Sequence, residues 1–269
     1  MQALRHFLLA VQFFTRIPVT GRLAQWVGFS PAMLRASAAH FPGIGWIAGL
    51  LAAATYGAMA WLLGPQQPAS FAVAAALSTV ATVLMTGGFH EDGLADIADG
   101  LGGSYDRERA LDIMKDSRIG AFGAMALVLA LLCKVSLLAW LGPQGLLRAT
   151  VAILGAHVLS RLWPLFIVRT LPHVGDTARS KSKPLADQIG LGALAAAMVW
   201  ALPAVALVGW CLGPIALSAA LLASACVTGW MRWRLACRLQ GFTGDALGAT
   251  QQVAEIAFYL GAAMALARP

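Results

Sequence analysis

The acidic residues of this 269-residue chain are concentrated in one short segment. Eight of its twelve Asp and Glu residues lie between positions 91 and 116. Asp92, Asp96 and Asp99 are spaced i, i+4 and i+7, which places three carboxylates on one face of a helix. Asp112 and Asp116 are spaced i, i+4 and share a face of a second helix. Because like charges arranged in this way repel one another, the pattern predicts a cation between them.

This density of oxygen ligands favours Mg²⁺, Mn²⁺ or Ca²⁺ over zinc or copper, and paired metal ions are typical of phosphoryl transfer. Three interleaved basic residues, Arg109, Lys115 and Arg118, are candidate ligands for phosphate oxygens. The sequence therefore predicts a metal-dependent site at 90–120 whose metal ligands are Asp92, Asp96, Asp99, Asp112 and Asp116. The simpler alternative is a solvated charged loop in which these acids and bases pair with each other.

A second candidate constellation runs from Arg238 to Glu255, where Asp245 and several glycines precede and enter an apolar run. Glycines and helix N-termini let phosphate approach the backbone, and a carboxylate inside an apolar run is suspect as functional. Asp245 and Glu255 are therefore candidate substrate-binding residues. Alternatively, Asp245 is a helix N-cap, and Glu255 pairs with Arg161, Lys134 or a Gln.

Two further features are weaker. His90 adjoins the acidic segment and is a candidate substrate contact, although a single histidine is also a common packing residue. The segment Lys-Ser-Lys-Pro-Leu-Ala at 181–186 is interpreted as a basic loop near anionic lipid, with a phosphate contact as the alternative.

The remainder of the chain indicates a membrane protein. It is 59% hydrophobic and 12% charged, with a mean hydropathy of +0.73, whereas a soluble domain carries about 25% charged residues. We expect a single all-α, polytopic membrane domain over 1–269. The apolar run Phe7–Phe14 is short and is followed by Thr-Arg-Ile-Pro rather than a small-residue cleavage site, which argues against a signal peptide. The helical spacing of Leu4, Phe7, Leu8, Val11 and Phe14 predicts an interfacial amphipathic helix. Seven apolar stretches are long enough to span a bilayer, at about 41–63, 69–89, 120–141, 146–168, 189–211, 213–231 and 247–267.

The basic residues predict the orientation of these spans. Seven spans place 15 of the 19 Lys and Arg residues on one side and two on the other, and the basic side is cytoplasmic by the positive-inside rule. The acidic segment lies on that side too, so we expect a cytoplasmic active site. The net charge of +7 then reflects topology and does not indicate nucleic-acid binding.

Part of the acidic segment is similar to the signature of the CDP-alcohol phosphotransferases. The similarity is carried by Asp96-x-x-Asp99-Gly100 followed by Asp112-x-x-x-Asp116, but the Ala-Arg after the glycine is missing and the gap is shorter. The similarity supports the chemistry and argues against membership of that family.

The chain as a whole resembles the cobalamin synthase family, the adenosylcobinamide-GDP ribazoletransferases. The most specific of the shared motifs are the acidic block at 90–100 and Met-Lys-Asp-Ser-Arg within 113–120; the others are at 13–18, 41–45, 181–186 and 243–249. The resemblance implies a bacterial inner-membrane enzyme that requires Mg²⁺. It implies that α-ribazole, or its 5′-phosphate, attacks adenosylcobinamide-GDP, releasing GMP and forming adenosylcobalamin or its phosphate.

Roles for individual residues follow as hypotheses. One of the catalytic aspartates, Asp92, Asp96, Asp99 and Asp116, takes the proton from the incoming hydroxyl. The basic residues Arg109, Lys115 and Arg118 bind the diphosphate, while His90, Asp245 and Glu255 complete the substrate pocket. The oligomeric state is left open. The alternative functions are a divalent-cation transporter, disfavoured because the acids lie outside the apolar runs, and a phospholipid head-group transferase of the CDP-alcohol type.

Overall fold

The computed structural model describes residues 1–175 and 189–267, and these form helices with no β-strand among them. The predicted basic segment at 181–186 lies outside the described residues. The helices are α1 Gln2–Phe14, α2 Gly21–Val27, α3 Pro31–Ser37, α4 Phe41–Leu63, α5 Pro68–Thr86, α6 Phe89–Gly103, α7 Arg107–Met114, α8 Ala121–Leu141, α9 Leu146–Ser160, α10 Trp163–Thr170, α11 Leu191–Leu212, α12 Pro214–Arg238 and α13 Gly244–Leu266.

Six helical stretches of the described residues are long and apolar enough to cross a membrane, which confirms the all-α, polytopic class. They are Pro31–Leu63, Ala69–Thr86, Ala121–Gln144, Leu146–Thr170, Leu191–Leu212 and Pro214–Arg238. The seventh predicted span corresponds to α13, which has the necessary length at 23 residues. It is not among the six, and its first half carries Gln251, Gln252 and Glu255.

In the sequence, Gly-Pro pairs at 64–65, 142–143 and 213–214 lie between paired apolar stretches, and each predicts a tight turn between two helices. The structure has a break between long helices at all three. Gly64 and Gly213 each have a positive φ at the turn between two long helices, a conformation that glycine adopts without steric cost. The break at Gly213 separates α11 from α12, the two spans that only Gly-Pro divides in the sequence. The predicted span 69–89 ends earlier, at Thr86, because Gly87 and Gly88 both take left-handed conformations. These two residues turn the chain into α6.

The amphipathic segment near the N-terminus is helical, as predicted, and packs one face onto the bundle. Leu9, Val11 and Phe14 of α1 are buried, whereas Leu4 is 54% exposed. The Phe14 ring stacks on Phe41 of α4 at a centroid distance of 4.4 Å. This contact brings the end of α1 to the end of the bundle where α6 begins. The predicted apolar face therefore contacts the bundle through Val11 and Phe14, and contact of its exposed end at Leu4 with lipid remains a prediction.

Helices α4 and α9 pack closely because small residues line their interface. A Cβ added at Gly45 would lie 2.5 Å from the carbonyl oxygen of His157 and 2.6 Å from the Cα of Val158. Such a distance requires the helices to separate, since the obstruction is backbone. Small residues at helix interfaces allow this close approach in membrane proteins.

We therefore expect Gly45→Ala to reduce the free energy of unfolding by about 1–3 kcal/mol, because it forces α4 away from α9. The matched control is Gly57→Ala in the same helix, where the nearest atom to the new Cβ is Thr150 Cγ2 at 3.7 Å. Thermal unfolding in detergent measures both variants. Equal melting temperatures for the two would contradict the tight α4–α9 interface.

Candidate active site

An open cavity of about 620 Å³ lies at one end of the bundle, beside α6. We call it the cleft. It is formed by the end of α1, the turn between α5 and α6, one face of α6, and the loop that precedes α8. Its lining residues are Gln12, Phe13, Thr15, Arg16, Thr86, Gly87, Gly88, Phe89, Glu91, Asp92, Ala95, Asp96, Ser117, Ile119 and Leu127.

Two of the predicted aspartates, Asp92 and Asp96, line the cleft from successive turns of α6. Asp245 of α13 completes a group of carboxylates around Asp96. Burial, together with the neighbouring charges of Asp245, Asp92 and Asp99, raises the pKa of Asp96 to about 7. Burial also raises the pKa of Asp245, and the charge of Asp92 adds to this increase. These carboxylates are therefore close enough to repel one another, as the sequence spacing predicts.

Asp245 is not the N-cap of α13, which was the alternative interpretation. The cap is Thr243, whose side-chain oxygen accepts a hydrogen bond from the Ala246 backbone at 3.3 Å. The Thr243 hydroxyl also donates to Asp245 Oδ2 at 3.3 Å. Since the helix end is already capped, the Asp245 carboxylate is available to face α6.

Asp99 has a structural role that the spacing did not reveal. Its Oδ2 accepts a hydrogen bond from Gly120 N at 2.7 Å, and its Oδ1 accepts one from Gly123 N at 2.8 Å. Gly120 is the N-cap position of α8, so the buried Asp99 side chain caps α8 from another helix. A carboxylate has about four lone-pair sites, so the prediction that Asp99 binds metal stays a prediction beside this capping role.

Asp112 and Asp116 pair with the basic residues of their own segment. Lys115 Nζ lies 3.5 Å from Asp112 Oδ1, and Arg118 donates through Nη2 to Asp116 Oδ2 at 2.6 Å. The hydrogen bonds from the side chain and backbone of Arg118 lower the pKa of Asp116 to about 2. Arg109 is exposed on α7. None of these five side chains lines the cleft, although their neighbours Ser117 and Ile119 do.

Glu255 lies in a buried polar network behind the cleft. Its Oε1 is 2.7 Å from Lys134 Nζ, and its Oε2 accepts a hydrogen bond from Gln251 Nε2 at 2.8 Å. Gln252 Nε2 donates to Gln251 Oε1 at 3.1 Å and to Glu91 Oε1 at 3.0 Å. Two of the alternative partners for Glu255, a lysine and a glutamine, are thus present. A chain of hydrogen bonds also connects Glu255 to Glu91 at the wall of the cleft.

His90 is buried beside this network and does not line the cleft. Its ring stacks on Phe41 at 5.7 Å, and its Nε2 has no hydrogen-bond partner. The predicted substrate contact therefore stays a prediction, and a packing role is what the described geometry shows.

Sequence reasoning missed two cleft residues, Glu91 and Arg16. Glu91 was counted among the acids but falls off the i, i+4, i+7 face. Arg16 belongs to the motif at 13–18, which was noted only as a shared motif. The cleft is formed by segments that are distant in the chain. The spacing of residues within one helix does not show which side chains such contacts bring to a cavity.

The donor set of the cleft suits a hard cation but does not enclose one by itself. Within 1–175 and 189–267, no three His, Cys, Asp or Glu side chains converge closely enough to hold a metal ion. Mg²⁺ in phosphate-transferring enzymes is usually held by one or two carboxylates together with substrate phosphates. Asp92, Asp96 and Asp245 fit that mode, because they offer carboxylate oxygens whose mutual repulsion a cation would relieve.

Comparison with known proteins gives a consistent family. Residues 6–263 match the family model described as cobalamin-5-phosphate synthase. The chain is 59% identical to the adenosylcobinamide-GDP ribazoletransferase of a Polaromonas species (strain JS666) over 98% of each chain. It is 60% identical to that of Polaromonas naphthalenivorans, covering 99% of this chain and all of the relative. The Leptothrix cholodnii protein of the same name is 46% identical over 96% of this chain and 94% of its own. No solved structure matches the chain.

The capping role of Asp99 predicts a loss of stability that is separate from any loss of activity. Asp99→Asn leaves only one side-chain oxygen for two N–H groups, so we expect the free energy of unfolding to fall by about 1–2 kcal/mol. The control is Asp92→Asn, since Asp92 is exposed and lines the cleft. Thermal unfolding in detergent without added metal measures both variants, and a parent-like melting temperature for Asp99→Asn would contradict the cap.

Proposed function

Because the chain belongs to the cobalamin-5-phosphate synthase family, we propose that its cleft is where ribazole displaces GMP from adenosylcobinamide-GDP with the help of Mg²⁺. Family membership makes the chain a transferase of cobalamin biosynthesis that joins adenosylcobinamide-GDP with ribazole. The site, the metal ion, the leaving group and the form of the acceptor belong to the proposal.

The carboxylates around Asp96 are the observation that supports this placement. Asp92 and Asp96 line an open cavity, Asp245 lies close to Asp96, and no basic side chain of the described residues forms an ion pair with Asp92 or Asp96. In contrast, the other acids of the segment with ionic partners, Glu108, Asp112 and Asp116, pair with basic residues one to three positions away in the chain. Unpaired carboxylates in a cavity are available for a cation and for proton transfer.

We assign the metal to Asp92 and Asp245, with the substrate diphosphate supplying further oxygens. Bound Mg²⁺ would neutralise charge on the diphosphate as GMP leaves. The predicted ligands Asp99, Asp112 and Asp116 are less favoured by their observed partners.

Asp96 takes the proton in this scheme. A ribose hydroxyl oxygen of ribazole forms a bond to the phosphorus that carries cobinamide, and the bridging P–O bond to GMP breaks. The proton of that hydroxyl passes to a carboxylate oxygen of Asp96, which is half-buried between Asp92 and Asp245. Its raised pKa, about 7, makes this carboxylate a better proton acceptor than an exposed aspartate.

The metal and proton roles can be separated by substitution. Purified protein with adenosylcobinamide-GDP, α-ribazole and Mg²⁺ should yield a cobalamin product and GMP by mass spectrometry, and EDTA should prevent this. We expect Mg²⁺ to raise the melting temperature of the parent and of Asp96→Asn but not of Asp92→Asn. Product formation should fall at least 100-fold in both variants, since general-base catalysis contributes about 10²–10⁴-fold.

The control is Asp106→Asn, which alters an exposed acid that caps α7 outside the cleft. It should retain both the Mg²⁺ shift and turnover. Full activity in EDTA, or Mg²⁺ uptake into liposomes without product, would contradict the proposal. Offering α-ribazole and its 5′-phosphate in equal amounts identifies the preferred acceptor.

The orientation of the cleft is part of the same proposal. We place it on the cytoplasmic face of a bacterial inner membrane, because 15 of the 19 basic residues fall on that side of the predicted spans. A reporter fused after Arg109 should then be active in the cytoplasm, and one fused in the turn at 64–67 should be active in the periplasm. Reversed reporter activities would contradict both the orientation and the access of cytoplasmic substrates to the cleft.

A further inference from the structure

Arg16 occupies a fixed position at the edge of the cleft. Helix α1 ends at Phe14, and the Arg16 backbone N–H donates to the carbonyl oxygen of Met85 near the end of α5, at 2.6 Å. The hydroxyl of the adjacent Thr15 donates to Val11 O at 2.7 Å and accepts from Ile17 N at 3.1 Å. These bonds hold the backbone of Arg16 against α5, whichever way its long side chain extends.

The Arg16 side chain runs across the turn between α5 and α6. A Cβ added at Gly87 would overlap the Arg16 guanidinium, and Gly87 also has a positive φ of 69°. The absence of a side chain at Gly87 therefore serves two purposes, the turn itself and the passage of Arg16. The guanidinium reaches the same cavity as Asp92 and Asp96.

Among the described residues, no acidic side chain forms an ion pair with Arg16. Arg16 is the one basic residue among the described residues that line the cleft. Its guanidinium forms no ion pair and no side-chain hydrogen bond with them. The predicted phosphate ligands Lys115 and Arg118 differ from it in both respects, because they pair with Asp112 and Asp116 and do not line the cavity.

We propose that Arg16 is a substrate-binding residue that holds the diphosphate of the nucleotide substrate. A cavity walled by carboxylates repels a diphosphate, so a cationic side chain at its edge is needed beside any metal ion. A guanidinium presents two parallel N–H groups to two phosphate oxygens, which a lysine does not. The assignment rests on the proposed function and replaces Arg118 with Arg16 as the main diphosphate contact.

The test compares the two arginines by their effect on diphosphate recognition. We expect Arg16→Gln to lower kcat/KM for adenosylcobinamide-GDP by roughly 10- to 150-fold, the loss of one charge-assisted hydrogen-bonded contact. Arg16→Lys should recover part of this loss. GDP should inhibit the parent more strongly than guanosine does. In Arg16→Gln, inhibition by GDP should weaken to that by guanosine, and inhibition by guanosine should not change. In Arg118→Gln, GDP should still be the stronger inhibitor.

The control is Arg22→Gln, an exposed arginine on α2 that does not line the cleft, and it should match the parent. A kcat/KM for folded Arg16→Gln within twofold of the parent would overturn the proposal. If Arg16→Gln does not fold, an unchanged GDP preference in Arg16→Lys would overturn it instead.

GDP binding also separates this inference from the proposed function. Failure of the parent to form cobalamin would contradict the reaction, while calorimetric binding of GDP would still test Arg16. Equal GDP affinity in parent and Arg16→Gln would overturn the role of Arg16 even if the reaction is confirmed.

Discussion

An ion pair inside the helix bundle determines how the two helices beside the cleft lie against each other. Lys134 of α8 and Glu255 of α13 are both buried, with 2.7 Å between Nζ and Oε1. A single charge in an apolar interior is so costly that each partner requires the other. Gln251 and Tyr259 donate to the same carboxylate, at 2.8 and 3.2 Å, and so satisfy further lone pairs. Helix α6 packs on both α8 and α13, so the position of its aspartates depends on this pairing.

The acidic residues of the chain differ in burial and in ionic partners, and these differences indicate different roles. Glu255 is buried and forms an ion pair with Lys134. Asp99 is buried, and both of its carboxylate oxygens accept hydrogen bonds from the first turn of α8. Asp116 is tied to an exposed arginine. Among the described residues, Glu91, Asp92 and Asp96 combine access to the cavity with a lack of ionic partners. Reactive carboxylates are expected where the protein itself leaves charge uncompensated.

The cleft lies at one end of the helix bundle, and its walls come from three separate parts of the chain, at 12–16, 86–96 and 117–127. The end of α1 is joined to the end of α5 by the bond from Arg16 N to Met85 O. Phe14 stacks on Phe41, which holds α1 at the same end of the bundle. A polar cavity can form there because most of the lining residues lie at or beyond the ends of the apolar runs, where backbone groups reach water or one another.

The sequence by itself determined the all-α membrane class, the breaks at Gly64 and Gly213, and the acidic helix face from which Asp92 and Asp96 line the cleft. These features depend on local properties: runs of apolar residues, glycine in turns, and aspartates spaced along one helix. It did not determine which aspartates share a cavity, because Asp99 and Asp92 have the same spacing signal and different partners. Only the tertiary structure placed Asp99 under the first turn of α8, and brought Asp245 and Arg16 to α6. Those contacts join residues far apart in the chain, and packing and the pairing of buried charge decide them rather than helical periodicity.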